Sequence, residues 1–137
     1  MRLAEALARI QEDLSGNPEL LDACYAIVSF IAQHDADQFK HLTYRAMCRM
    51  ANLAKPEDTM PAVAYLTGER LKILVPRFTF IDDDHDEEIS DEQMGQLLKG
   101  APYHDEKGDI FSNPLDRVFT HFELSAQARE LARTSTR

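Results

Sequence analysis

The chain has 137 residues, 44% of them hydrophobic and 28% charged, and a formal net charge of -9. That length and composition fit one globular domain with its own core, and they exclude a disordered tail protein. No apolar run reaches bilayer length, and the start Met1-Arg2-Leu3-Ala4-Glu5-Ala6-Leu7 lacks the unbroken apolar stretch of a signal peptide, so the expected partners include no membrane and the expected location is the cytoplasm.

The charge is unevenly spread. Residues 1–37 carry two Lys/Arg against seven Asp/Glu, a net of -5. Residues 38–77 carry Lys40, Arg45, Arg49, Lys55, Arg70, Lys72 and Arg77 against Glu57, Asp58 and Glu69, a net of +4. Residues 78–137 return to -8. An acidic chain with one basic block can still present a polyanion-binding surface.

The first predicted helix places Leu3, Leu7, Ile10 and Leu14 on one face, with Arg9, Glu12 and Asp13 opposite. Such a stripe must be buried somewhere, which suggests dimerisation through the first or last helix. Ser15-Gly16-Asn17-Pro18 interrupts it, with Gly16 suited to a C-terminal cap, Asn17 to an N-cap and Pro18 to the first helical position. The next helix, about Pro18 to Gln33, has so wide an apolar arc, from Leu20 and Leu21 to Phe30 and Ile31, that it should lie at the centre of the fold. A third helix carries Phe39, Leu42, Met47, Met50 and Leu53 on its apolar side, with Thr43 as an N-cap if the helix restarts there. Arg45 and Arg49 stand at i,i+4 on another face.

Lys55-Pro56-Glu57-Asp58 supplies a turn, and a short fourth helix runs from about Thr59 to Leu66 with Asp58 or Thr59 as its cap. The spacing predicts Met60, Val63 and Leu66 inward and Thr59, Pro61, Ala62, Ala64 and Tyr65 outward. Leu71 to Ile81 reads as a strand with Pro76 at an edge or bulge. Asp82 to Glu88 is a charged loop, and Ser90-Asp91-Glu92-Gln93 is a capping box for a helix through Met94, Leu97 and Leu98 that ends at Gly100. His104 to Asp109 reads as a hairpin turn, and Val118, Thr120, Phe122 and Leu124 alternate as a last strand. Ser125 to Arg137 is polar and reads as a short helix that frays.

Helices precede strands, so the expected class is α+β: N-terminal helices, then a small antiparallel sheet with an inserted helix. The expected organisation is a single domain, with 1–17 as a helical extension, 18–81 as the core and 82–137 as the acidic remainder.

Leu42-Thr43-Tyr44-Arg45-Ala46-Met47-Cys48-Arg49-Met50-Ala51-Asn52-Leu53, followed by Thr59-Met60-Pro61-Ala62-Val63-Ala64-Tyr65-Leu66, resembles the paired helices of a winged helix-turn-helix domain. The resemblance covers residues 18–81 if the central helix supplies the first of three. It implies a transcription-regulatory protein whose partner is double-stranded DNA, bound with the fourth helix near a groove. The contact residues would be Lys40, Arg45, Arg49, Lys55, Thr59, Tyr65, Arg70 and Lys72. Because the fourth helix offers no Arg, Lys, Asn or Gln to read bases, phosphate contact is the expected mode. The alternative is a module of the same shape that contacts a protein through the fourth helix.

Other chemistry has less to stand on. Asp82, Asp84, Asp86, Glu88 and Ser90 fall near ligand positions of a calcium-binding loop, but Glu87 replaces the turn glycine and Gln93 the closing Glu. His34, His41, His85, His104 and His121 lack zinc-ligand spacing, and Cys24 and Cys48 read as reduced, buried thiols. No nucleophile elbow or phosphate-binding glycine loop is present, so neither an enzyme, a cofactor nor a metal is expected.

Overall fold

The computed structural model describes residues 1–83 and 86–135; Asp84, His85, Thr136 and Arg137 lie outside the described residues. The fold is α+β, with N-terminal helices followed by a small antiparallel three-stranded sheet. The chain divides into two compact units, residues 1–75 with 122–137, and residues 76–121.

In the first unit, α1 (Leu3–Leu14) buries Ala6 and Ile10 and lays Leu3, Leu7 and Leu14 against the core. The apolar stripe is therefore covered within the chain, which removes the reason for expecting a dimer through this helix. Asn17 caps α2 (Pro18–Ala32), its Oδ1 accepting from Leu20 N at 3.3 Å, with Pro18 in the first turn. Gly16 takes no left-handed conformation; the C-cap of α1 is Ser15, in a helical conformation. Helix α2 packs against α1 and, further along the chain, against α3 (Tyr44–Ala51), α4 (Met60–Thr67) and α6 (Ala126–Ser135). Its buried arc of Ala23, Cys24, Ile27, Val28, Ile31 and Ala32 needs neighbours on several sides, as its sequence requires.

The expected third helix is broken into parts. Ala36–Phe39 forms a 3-10 turn capped by Asp35, and Leu42 makes an antiparallel bridge with Phe122, each N–H donating to the other's carbonyl at 2.8 Å. Thr43 then caps α3 by accepting from Ala46 N at 3.1 Å, and Asn52 ends it in the left-handed region at φ 55. A second 3-10 turn, Pro56–Thr59, leads into α4 and shifts its phase. Met60 is consequently 53% exposed and Ala62 buried, the reverse of the expected faces; Val63 and Leu66 are buried as their spacing requires. The strand begins at Leu74 rather than Leu71, after Lys72 turns the backbone at φ 48.

The terminal segment is more than a fraying tail. Ser125 Oγ accepts from Ala128 N at 3.2 Å at the start of α6, whose Ala128 and Leu131 are fully buried in the same core as Ile10, Ile27 and Leu66. The side chain of Gln127 also donates to the carbonyl of Leu71.

The chain leaves the first unit within β1 (Leu74–Ile81) and returns within β5 (Val118–Leu124). The sheet order is β2-β1-β5, where β2 is Asp86–Ile89, paired to β1 in the register Phe78 to Ile89 and Ile81 to Asp86. In the second unit the Ser90 and Gln93 side chains cap each other's backbone at 3.1 and 3.0 Å to start α5 (Asp91–Leu98), and Gly100 follows at φ 95. Tyr103–His104 (β3) and Ile110–Phe111 (β4) form the expected hairpin, with Gly108 at φ 89 in its turn. Phe80, Ile89, Leu97 and Tyr103 make a separate small core in which Phe80 is fully buried, its ring centroid 4.4 Å from Tyr103 and 4.9 Å from Phe111.

Candidate nucleic-acid interface

The basic block of the sequence maps onto the first unit, and the structure sorts its members. Arg45 and Arg49, one turn apart on α3, are exposed, and neither side chain makes an ion pair or hydrogen bond among the described residues. Lys40, at the end of the 36–39 turn, and Lys72, in the loop before β1, are likewise exposed and without a carboxylate partner among the described residues. Lys55 is exposed too, but its surroundings are mixed: its backbone N–H donates to Asp58 Oδ2 at 3.2 Å, and Glu57 and Asp58 line the adjacent depression with Glu19 and Asn17.

Three other expected contact residues are engaged inside the protein. Thr59 is fully buried, and its hydroxyl donates to the carbonyl of Pro56, because the 3-10 turn rotates it inward. It belongs to the core rather than to a contact surface. Tyr65 is half-buried and donates to Asp13 Oδ2 at 2.6 Å. Arg70 grips the same carboxylate through Nε and a terminal nitrogen, both at 2.9 Å, with Glu12 3.9 Å away, while Arg9 donates to the Arg70 carbonyl at 3.0 Å. Arg70 and then Tyr65 hold the Asp13 carboxyl below its ordinary range. Burial first, then the Asp13 carboxylate, push the Tyr65 phenol up.

This latch ties α1 to α4 and to the loop after it. Residue spacing could not reveal it, since Asp13 sits on the polar face of an amphipathic helix, where an acid is ordinarily solvated. Arg45 and Arg49 form an exposed basic pair on α3, and Lys40, Lys55 and Lys72 are exposed elsewhere in the same unit. The solvent side of α4 offers Met60, Pro61 and Ala64.

Net charge differs sharply between the units. The first holds eleven Lys/Arg against twelve Asp/Glu, a net of -1, and the second holds four against twelve, a net of -8. An exposed basic pair is less opposed by its surroundings in the nearly neutral unit than it would be in the acidic one.

The remaining reactive side chains have structural roles. His34 stacks on Phe30 with centroids 4.0 Å apart, its Nδ1 2.7 Å from the Phe30 carbonyl oxygen. Cys24 and Cys48 are free and buried; Cys48 donates to the Leu53 carbonyl at 3.1 Å, and burial pushes the Cys24 thiol up to about 12. In the stretch compared with a calcium loop, the entering segment is strand β1, both Glu87 oxygens accept from Glu106 N, at 3.1 and 3.2 Å, and Gln93 is a helix cap. No group of three or more metal-ligating side chains comes together among the described residues. No helix among them is long and apolar enough to cross a membrane.

No protein-family model matches the chain, and comparison with curated proteins and with solved structures finds no significant match.

Proposed function

We propose that the first unit is a winged-helix module that docks on the phosphate backbone of double-stranded DNA through Arg45 and Arg49, in a transcription-regulatory role. Support for the module comes from chain order and pairing. Helices α2, α3 and α4 are followed by β1 and β5, and Leu42, in the segment between α2 and α3, bridges to Phe122 of β5. A three-helix core closed by strands that include a short pairing between the first two helices is the arrangement a winged helix requires. The 76–121 unit then occupies the connection between β1 and β5, where such a domain carries its wing.

The single observation that carries the docking surface is that Arg45 and Arg49 are exposed, adjacent and free of carboxylate partners among the described residues, in a protein whose acids outnumber its bases, 24 to 15. Phosphate contacts need only charge and hydrogen-bond donors, so binding of this kind is sequence-tolerant and strongly dependent on salt. With net -8, the second unit adds repulsion from a polyanion, which keeps the affinity modest. Titration of a random-sequence duplex at low and moderate salt, with and without Arg45→Ala plus Arg49→Ala, tests the proposal; absence of binding at low salt contradicts it.

A second reading rests on α4. Its exposed Met60, Pro61 and Ala64 are apolar, which favours contact with a protein over contact with a base edge. Binding by that surface would be insensitive to salt and to the Arg45, Arg49 double substitution, and would be lost on Met60→Asp.

A further inference from the structure

The 76–121 unit exposes large apolar side chains that its own core does not use. Strand alternation explains how they arise. In β4, Phe111 turns inward against Phe80, so its neighbour Ile110 turns outward and is 65% exposed. In β5, Val118 turns toward the small core and Phe119 turns away, 55% exposed; at the end of β1, Phe80 is buried and Ile81 is 38% exposed. These three outward side chains do not scatter. Ile81, Ile110 and Phe119 line one open groove of about 660 Å³, a volume in the range of ligand sites. Apolar side chains gathered around one groove suit ligand contact better than singly scattered ones, which are ordinary on any surface.

The charged lining of the groove is mainly acidic. Among the described residues, Asp82, Asp83 and Asp116 line it against one cation, Arg117. Arg117 is already engaged: its guanidinium lies 3.5 Å from Asp82 and 5.3 Å from the centre of the Phe111 ring. Asp83 and Asp116 are exposed and have no cation partner among the described residues. The groove therefore combines apolar side chains with an acidic edge, within a unit of net -8.

We infer that this groove is a docking site for a short basic segment of a partner protein, one that places an aromatic or aliphatic side chain on Ile110 and Phe119 and its Lys or Arg residues beside Asp83 and Asp116. Charge complementarity selects this occupant. Apolar contact supplies the affinity, and the acidic rim attracts cationic segments while rejecting acidic ones. A second copy of the chain is the poorer fit, because two such grooves meeting face to face would set acid against acid. The inference stands apart from DNA docking, since it uses none of the residues of the first unit.

The test is selection of a random dodecapeptide library on the intact protein, followed by fluorescence anisotropy with the selected peptides. Expected are peptides that combine an aromatic or aliphatic anchor with several Lys or Arg residues. Their affinity should fall on the order of tenfold or more in Phe119→Ser, and comparably in Asp83→Asn plus Asp116→Asn, with unchanged far-UV circular dichroism. The aspartate double variant alters only exposed side chains, so it decides the matter even if Phe119→Ser fails to fold. No enrichment, enrichment of acidic peptides, or binding that the aspartate variant leaves unchanged would overturn the inference. So would a dimer, seen by sedimentation equilibrium, that Phe119→Ser dissociates, because the groove would then belong to a second copy.

Discussion

Asp13 and Arg70, 57 residues apart in the chain, face each other through two parallel hydrogen bonds of 2.9 Å. The same carboxylate accepts from Tyr65, so one acid on α1 fixes both α4 and the loop that follows it. Tyr65 and Arg70, both expected at a DNA contact, are joined to Asp13 in this latch, with Arg70 still exposed.

Asp13→Asn leaves a group that can meet Arg70 with one acceptor instead of a charged fork, and it should lower the thermal midpoint at neutral pH. The effect of pH follows from direction. The folded protein holds the Asp13 carboxyl below its ordinary value of 3.8, so the latch contributes fully above that value and its contribution is lost as pH falls through the lower folded value. Thermal melts of wild type and Asp13→Asn from neutral to acidic pH should therefore converge at the acid end. A difference between them that grows on acidification would contradict the latch.

Phe80→Ala should cost about 3–5 kcal/mol, because it empties the centre of the small core and removes the ring contacts to Tyr103 and Phe111. Urea titration read by amide exchange should show the loss in residues 76–121. Equal loss in α2 would indicate that the two units unfold as one.

Helix caps give a smaller, local test. Asn17→Ala and Ser90→Ala each remove an observed acceptor for a first-turn N–H and should cost about 1 kcal/mol by denaturant titration. Cost-free substitution at Ser90 would mean that the reciprocal Ser90 and Gln93 cap does not form in solution.

The Cys24 thiol, buried and pushed up to about 12, should resist thiol reagents at neutral pH and react only as the protein unfolds. A native-state rate comparable to that in denaturant would contradict its burial.

Legibility in the sequence followed locality. The Asn17 and Pro18 start, the Thr43 cap, the Ser90 and Gln93 box and the hairpin at Gly108 are set by residues within four positions of one another, and each was readable from spacing. The missed features depend on distant partners or on phase. A single 3-10 turn before α4 exchanged the faces of Met60 and Ala62 and buried Thr59, an offset that a 3.6-residue period cannot anticipate. The segment Ser125 to Arg137 is polar in composition, and the burial of Ala128 and Leu131 depends on core residues distant in the chain. The Leu42 bridge is one residue long, too short for any alternation. At the candidate interface, Arg45 and Arg49 were found by charge and i,i+4 spacing, whereas the withdrawal of Tyr65 and Arg70 depended on an acid in another helix.

Docking of Arg45 and Arg49 on phosphates has a direct signature in salt dependence. Its most direct measurement is the affinity for a random-sequence duplex between about 50 and about 200 mM salt, for wild type and for Arg45→Ala plus Arg49→Ala. Wild-type binding should be present at low salt and weaken steeply across that range, and the double variant should bind more weakly with a logarithmic salt slope smaller by about 2. No binding at low salt, or an affinity and slope that the double variant leaves unchanged, would contradict it.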